Sequence, residues 1–228
     1  MTVQRDIASG FTGMYGIPEA ALYLSTTPPL TNGNVVPPAR LRYWIRTSIP
    51  LIAPPVFPTR QRLITFLDLI SMRMIAILRS RNVKLKHIRN TERWLRKEFG
   101  ISHPLASREL WTYGSDVFIK FEEQLILAAS RFGQEAMTFI GDWLSKVELD
   151  MTFDEHNLAS SWCPYQYICL DPAIQFGAPC VEGTRVPTRS IWNKIRAGDS
   201  PEVVAALHDL DITQVQYASR WEQRIGTT

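Results

Sequence analysis

Arg40, Arg42 and Arg46 alternate with Leu41, Trp44 and Ile45 in the run from Pro38 to Arg46, and at helical spacing the apolar three share one face while the arginines project elsewhere. A helix built this way suits the major groove. Its apolar side chains anchor it to a scaffold, and its guanidinium groups reach phosphates and guanine edges. Lys84, Lys86 and Arg89 form a second cationic set able to touch phosphate. The window 39–98 holds 14 basic residues against the acids Asp68, Glu92 and Glu98, a net of +11, out of 25 basic and 22 acidic residues in the chain. The other residues therefore carry 11 basic and 19 acidic groups, so a strongly basic segment sits beside acidic ones. Segregation of this kind marks a polyanion-binding surface or, equally, an amphipathic helix pair with a solvated cationic face.

Other reactive residue types suggest less. Asp150, Asp154 and Glu155 lack a partnered histidine, a nucleophile or a pocket signature, and read as solvated surface rather than acid catalysts; no enzyme activity is expected. Cys163, Cys169 and Cys180 are odd in number and irregularly spaced, which argues against a disulfide framework and, even with His156, against a zinc set. They read as buried thiols. No metal or cofactor is expected.

The elements that would hold these residues follow from punctuation and periodicity. Pro18 can open a short helix carrying Ala21, Leu22 and Leu24, and the stretch Ser25 to Pro38 reads as a loop. Prolines at 50, 54, 55 and 58 exclude a regular helix and leave room for an extended wing. Thr59 can cap a helix running to about Ser80, whose Leu63, Leu67, Ile70, Met74 and Ile77 make a seam, either against the chain's own helices or against a second copy in a homodimer. Lys84 to Phe99 reads as the next helix, closed by Gly100. From residue 101 to 170 the chain turns acidic. A hairpin is expected around Gly114 and Ser115, a helix over 122–131, and short strands over 148–153 and 165–170. Beyond them Thr188 and Ser200-Pro201 cap short helices, the first closed by Gly198, with Val203, Val204 and Leu207 facing inward, and Thr213 opens a third.

Tyr15 through Ala21, followed by Leu41, Arg42 and Trp44, resembles the opening of MerR-like winged helix-turn-helix domains. The string Asp171-Pro172, Ile174, Gly177, Pro179, Val181, Gly183-Thr184-Arg185-Val186-Pro187, continued by Ala197-Gly198-Asp199-Ser200-Pro201-Glu202, resembles a small family first catalogued as a domain of unknown function, number 433. That family is associated with VapB-type antitoxins. The resemblance implies a PIN-domain ribonuclease (VapC-type) toxin as partner, operator DNA as ligand, and the role of antitoxin and autorepressor; a stand-alone MerR-like regulator is the alternative. A nuclease of that type resembles a carboxylate cluster holding a divalent cation, and an entering arginine could pair with the acids and exclude the metal. The candidates for that contact are Arg185 and Arg189, near the Gly-Thr-Arg turn, and Arg220 and Arg224 in the last helix. A turn arginine such as Arg185 can instead bond local carbonyls.

The expected fold is mainly α with small β elements: an N-terminal winged helix-turn-helix plus a C-terminal three-helix, helix-turn-helix-like domain. Residues 1–100 would bind DNA, 101–165 connect, and 166–228 form the antitoxin-type module. At 228 residues with 45% hydrophobic and 21% charged, the chain can bury a core. Its apolar runs are broken by charges such as Asp68 and Arg73, and residues 1–10 lack a basic region followed by an apolar block, so the cytoplasm is the expected location and no membrane partner is expected.

Overall fold

The computed structural model of the protein describes residues 13–26, 36–47, 63–80, 83–100, 102–108 and 150–226. Among them are seven helices: α1 (Ile17–Thr26), α2 (Pro38–Thr47), α3 (Phe66–Ser80), α4 (Leu85–Phe99), α5 (Thr188–Ala197), α6 (Pro201–His208) and α7 (Ile212–Gly226). A two-stranded antiparallel ladder pairs β1 (Met14–Gly16) with β2 (Leu63–Thr65). A four-stranded antiparallel sheet follows chain order through β3 (Met151–Phe153), β4 (Ala159–Tyr165), β5 (Ile168–Leu170) and β6 (Cys180–Val181). The expected wing, hairpin and helix over 122–131, and the Thr59 cap, lie outside the described residues.

Helix α3 is the centre of the first half. It starts later than the seam predicts, because Thr65 and Asp68 cap each other: the Thr65 amide and hydroxyl donate to Asp68 Oδ2 at 3.0 and 2.8 Å, and the Asp68 amide donates back to Thr65 Oγ1 at 3.2 Å. Every residue from Asp68 to Leu78 is buried. Ile70, Met74 and Ile77 therefore pack within the chain, and α3 offers no open stripe to a second copy. Arg73 is buried along with its neighbours. Its Nη1 and Nη2 donate to Asp150 Oδ1 and Oδ2 at 3.3 and 3.4 Å, and its guanidinium lies 4.8 Å from the centroid of the Trp162 ring. Burial pushes the Arg73 pKa down while Asp150 pulls it up. Asp150, read from sequence as solvated surface, is thus the counter-ion that ties α3 to the sheet.

The second half corrects the expected fold class. The protein is a mixed α/β fold, and α5, α6 and α7 do not stand as a three-helix domain of their own. The last of them packs on the four-stranded sheet and on α1: Trp221 of α7 is fully buried, its ring 5.7 Å from Tyr23 of α1 and 6.0 Å from Tyr165 of β4. Tyr15 of β1 donates to the carbonyl of Gly177 at 3.0 Å across 162 residues of sequence. The reason is burial. Trp162, Ile168, Leu170 and Val181 present apolar side chains that strands can hide only against another layer, and three short helices cannot bury Trp221, Val215 and Ile191 among themselves.

Local punctuation is read correctly in several places. Ser200 accepts the Val203 amide at 3.4 Å with Pro201 following, and Gly198 and Gly100 close their helices in the left-handed region at φ 106° and 67°. Two details differ. Thr188 does not cap α5; its hydroxyl donates inward to Glu222 Oε1 at 2.6 Å. In α6, Val204 is buried but Val203 and Leu207 are exposed, since a helix of eight residues turns only one narrow face inward.

Candidate functional site

Two surfaces gather the residues that composition and resemblance single out. The first is α2 with its neighbours. Leu41 and Trp44 are buried beneath it, while Arg40, Arg42 and Arg46 are exposed, as the helical period predicts. Tyr43, between the arginines, is half exposed. Lys84 precedes the first turn of α4, Lys86 is exposed, and Arg89 is half-buried, with Ile88 and Leu95 turned inward. The structure thus places five of the six cationic residues on two helices, α2 and α4, with Lys84 at the N-cap of α4.

The cationic surface is smaller than the charge count. Arg73 is inside the core, and Arg96 is paired with Glu92 through Nε at 2.9 Å and through Nη2. Arg93 Nη1 donates to Asn90 at 3.5 Å. Among the described residues, the exposed cations on this side include Arg40, Arg42 and Arg46 of α2 and Lys84 and Lys86 at the start of α4.

The second surface lies where the hairpin of β4 and β5 meets α7. Tyr165 and Tyr217 have ring centroids 5.6 Å apart, and Tyr167 meets Tyr217 edge-on at 5.3 Å. Arg220 sits over the Tyr217 ring at 5.3 Å and Arg224 over the Tyr165 ring at 5.2 Å. Both arginines are exposed, and a guanidinium resting on a ring is the kind of group that pairs with a carboxylate. Tyrosine and arginine in one patch is also the composition of protein interface centres. Sequence reasoning finds the arginines and misses the tyrosines. The signal was there: Tyr165 and Tyr167 are alternate residues bracketed by Cys163 and Cys169, which bond to each other and pin the hairpin.

That disulfide corrects the reading of the cysteines as three thiols; only Cys180 is free, and it is buried. Cys180 is the direct cross-strand partner of Cys169. Burial pushes its thiol up to about 11, against the smaller opposing effect of Arg185. Glu182 lies within 4.8 Å of both bonded sulfurs, but with each sulfur committed to the other the set offers a metal no thiolate.

Arg185 and Arg189 differ from the other pair. The turn uses the Arg185 carbonyl, which accepts from Gln175 Nε2 at 3.1 Å, and its side chain is exposed. Arg189 Nη1 donates to the buried Glu222 at 3.2 Å, and the same carboxylate takes the Thr188 hydroxyl. Arg189 therefore helps to satisfy a buried acid that joins α5 to α7. Asp154 accepts the His156 and Leu158 amides, both at 2.9 Å, and so shapes the β3–β4 turn. No helix among the described residues is long and apolar enough to cross a membrane.

Comparison with known proteins bears on both surfaces. Residues 168–221 match the model of a family described as a protein of unknown function (DUF433). Over 221 residues the chain is 27% identical to the candidate antitoxin VapB45 of Mycobacterium tuberculosis (strain ATCC 25618 / H37Rv), covering 84% of this chain and 86% of the relative. The crystal structure of Rv2018 from Mycobacterium tuberculosis matches with a TM-score of 0.71 at 25% identity, over 90% of this chain and 95% of that one. The similarity to a candidate antitoxin therefore runs along most of the chain, across both surfaces and the core between them.

Proposed function

We propose that this protein is the antitoxin of a type II toxin–antitoxin pair, which neutralises a PIN-domain ribonuclease (VapC-type) and binds operator DNA to regulate its own operon. The observation that carries the reading is the tyrosine-and-arginine patch on α7 and the β4–β5 hairpin. Arg220 and Arg224, seated on Tyr217 and Tyr165, are positioned to enter a cluster of carboxylates. There they would compete with the divalent cation for the acids, because a guanidinium pairs with a carboxylate in two parallel hydrogen bonds. Similarity to VapB45 supports the toxin–antitoxin role. The protein acts by binding, not by catalysis.

Co-expression with the product of the adjacent open reading frame, which this reading requires to be a small ribonuclease, tests the first half. Stable co-purification and loss of RNA cleavage are expected. Arg220→Ala together with Arg224→Ala should restore cleavage while leaving the fold intact, and Arg189→Ala should not. A neighbour that stays active and unbound when both proteins are folded would refute the reading.

For operator binding, α2 supplies the contacts. Replacing Arg40, Arg42 and Arg46 with Gln removes three phosphate contacts, and each contributes about 0.9 to the slope of log affinity against log salt, so the slope should fall by about 2.7. An unchanged slope would place the DNA elsewhere. The homodimer that a paired operator favours would have to form away from α3, which its own chain encloses.

A further inference from the structure

Where α2, the last turn of α3 and the first turn of α4 meet, they enclose a cavity of about 340 Å³, at the small end of the range for ligand sites. Its wall includes Arg40 and Tyr43 from α2 and Arg79 and Ser80 from α3, over a floor made by Trp44. Among the described residues two guanidinium groups line it and no carboxylate does. Arg79 is held in place, donating its Nη1 to the carbonyl of Val83 at 2.9 Å. Leu85, the first residue of α4, is also in the wall, and Lys84 before it gives that helix no side-chain cap, so the positive end of the helix dipole adds to the arginines. Tyr43 is 48% exposed and presents a flat ring at the rim.

A ligand complementary to these features carries a compact anion of high charge and a flat ring. Aliphatic anions would waste the ring, and neutral aromatics would leave two guanidinium groups without a counter-charge. We propose that the cavity binds a nucleotide, with its phosphate between Arg40 and Arg79 and its base against Tyr43. The chemistry is the same for a free mononucleotide and for one nucleotide of a strand. The proposal shares Arg40 with the operator-binding reading but does not require it, since Arg79 and Tyr43 are not among the operator contacts named above.

Titration of the full chain at low salt, followed by calorimetry, tests it with AMP, adenosine, inorganic phosphate and a short thymidine oligonucleotide as probes. AMP should bind at least about tenfold more tightly than adenosine or phosphate, since losing a hydrogen bond to a charged group costs about that factor or more. Arg40→Gln and Arg79→Gln should each weaken AMP about tenfold. Tyr43→Ala should weaken AMP and leave phosphate unchanged, with its melting temperature measured beside the titration to show that the variant is folded. Arg42→Gln, outside the cavity, should leave AMP binding unchanged even where it weakens operator binding, which separates the two readings. An oligonucleotide that outcompetes AMP with the same dependence on Arg79 identifies a strand as the source, and one that does not identifies the free nucleotide. AMP bound no better than adenosine and phosphate, or bound equally by the Arg79→Gln protein, would overturn the proposal.

Discussion

Replacing Asp150 with Ala should be among the most damaging single changes in the chain. The Arg73 side chain is 4% exposed, and Asp150 accepts from its Nη1 and Nη2 as well as from Trp162 Nε1 at 3.3 Å. Removing the carboxylate takes from this buried guanidinium the acid that both its Nη atoms donate to, and breaking a buried pair costs about 3–5 kcal/mol. Asp150 is itself 31% exposed, and water that reaches it can partly solvate the vacated site, so the lower end, about 3 kcal/mol, is expected. For a chain of this size that is a fall in melting temperature of about 6–12 °C. Guanidinium unfolding followed by tryptophan emission, with calorimetry beside it, gives both numbers. Arg73→Met in the same background is the control. It removes the buried charge while keeping an unbranched apolar chain, so the double variant should recover at least about 1 kcal/mol relative to Asp150→Ala alone. A loss below about 1 kcal/mol for Asp150→Ala, or a double variant no more stable than the single one, would refute the reasoning that the pair is coupled and buried.

Gly177→Ala should destabilise for two reasons: the glycine sits at φ +85°, and an added Cβ would collide with the Tyr15 hydroxyl and lie 3.0 Å from Cζ of that ring. Chemical denaturation should show Tyr15→Phe, which removes the hydroxyl, recovering part of the loss in the double variant. Alkaline pH should unfold the protein early: Tyr15 and Tyr23 are both pushed above the ordinary phenol value of 10.0, chiefly by burial and then by Glu19, so their contribution is complete below that value and is lost as pH rises past it. A pH series of melting temperatures should show the fall, flattened in a Tyr23→Phe protein. Iodoacetamide should leave all three cysteines unmodified in the native, non-reduced protein and label Cys180 alone once it is unfolded without reductant, as peptide mass spectrometry would report.

What the sequence reveals and conceals divides by range of interaction. Caps and stops are local, so Gly100, Gly198 and the Ser200-Pro201 pair are legible from a few residues. Periodicity also settles α2, because Leu41 and Trp44 have no polar competitor for the inward face. It fails where the environment decides. Arg73 looks like surface charge because nothing nearby in sequence announces Asp150, 77 residues away. The mixed α/β architecture is hidden for the same reason. The strands at 151–181 are short and interrupted by turns, and one of those turns runs through Tyr167 at φ 62°, which a non-glycine residue seldom adopts. Reading 165–170 as one strand conceals the hairpin, and with it the tyrosines that seat Arg220 and Arg224.

One residue shows why the two surfaces should not be dissected by truncation. Trp221 is fully buried between Tyr23 of α1 and Tyr165 of β4. Cutting the chain before Ile168, where the family match begins, would split the sheet between β4 and β5, uncover the side of Trp221 that faces α1 and separate Tyr15 from Gly177. Trp221→Ala should cost about 3–5 kcal/mol through the cavity it opens. Because α1 also packs on α2 and α3, that loss should weaken operator and toxin binding together. Arg220→Ala with Arg224→Ala touches only the exposed rim of the same helix and should spare the operator. Measuring both affinities in both proteins distinguishes a shared core from two independent modules: equal operator affinity in Trp221→Ala and wild type, at a temperature where the variant's C-terminal half is unfolded, would show that the halves fold separately and that α1 does not join them.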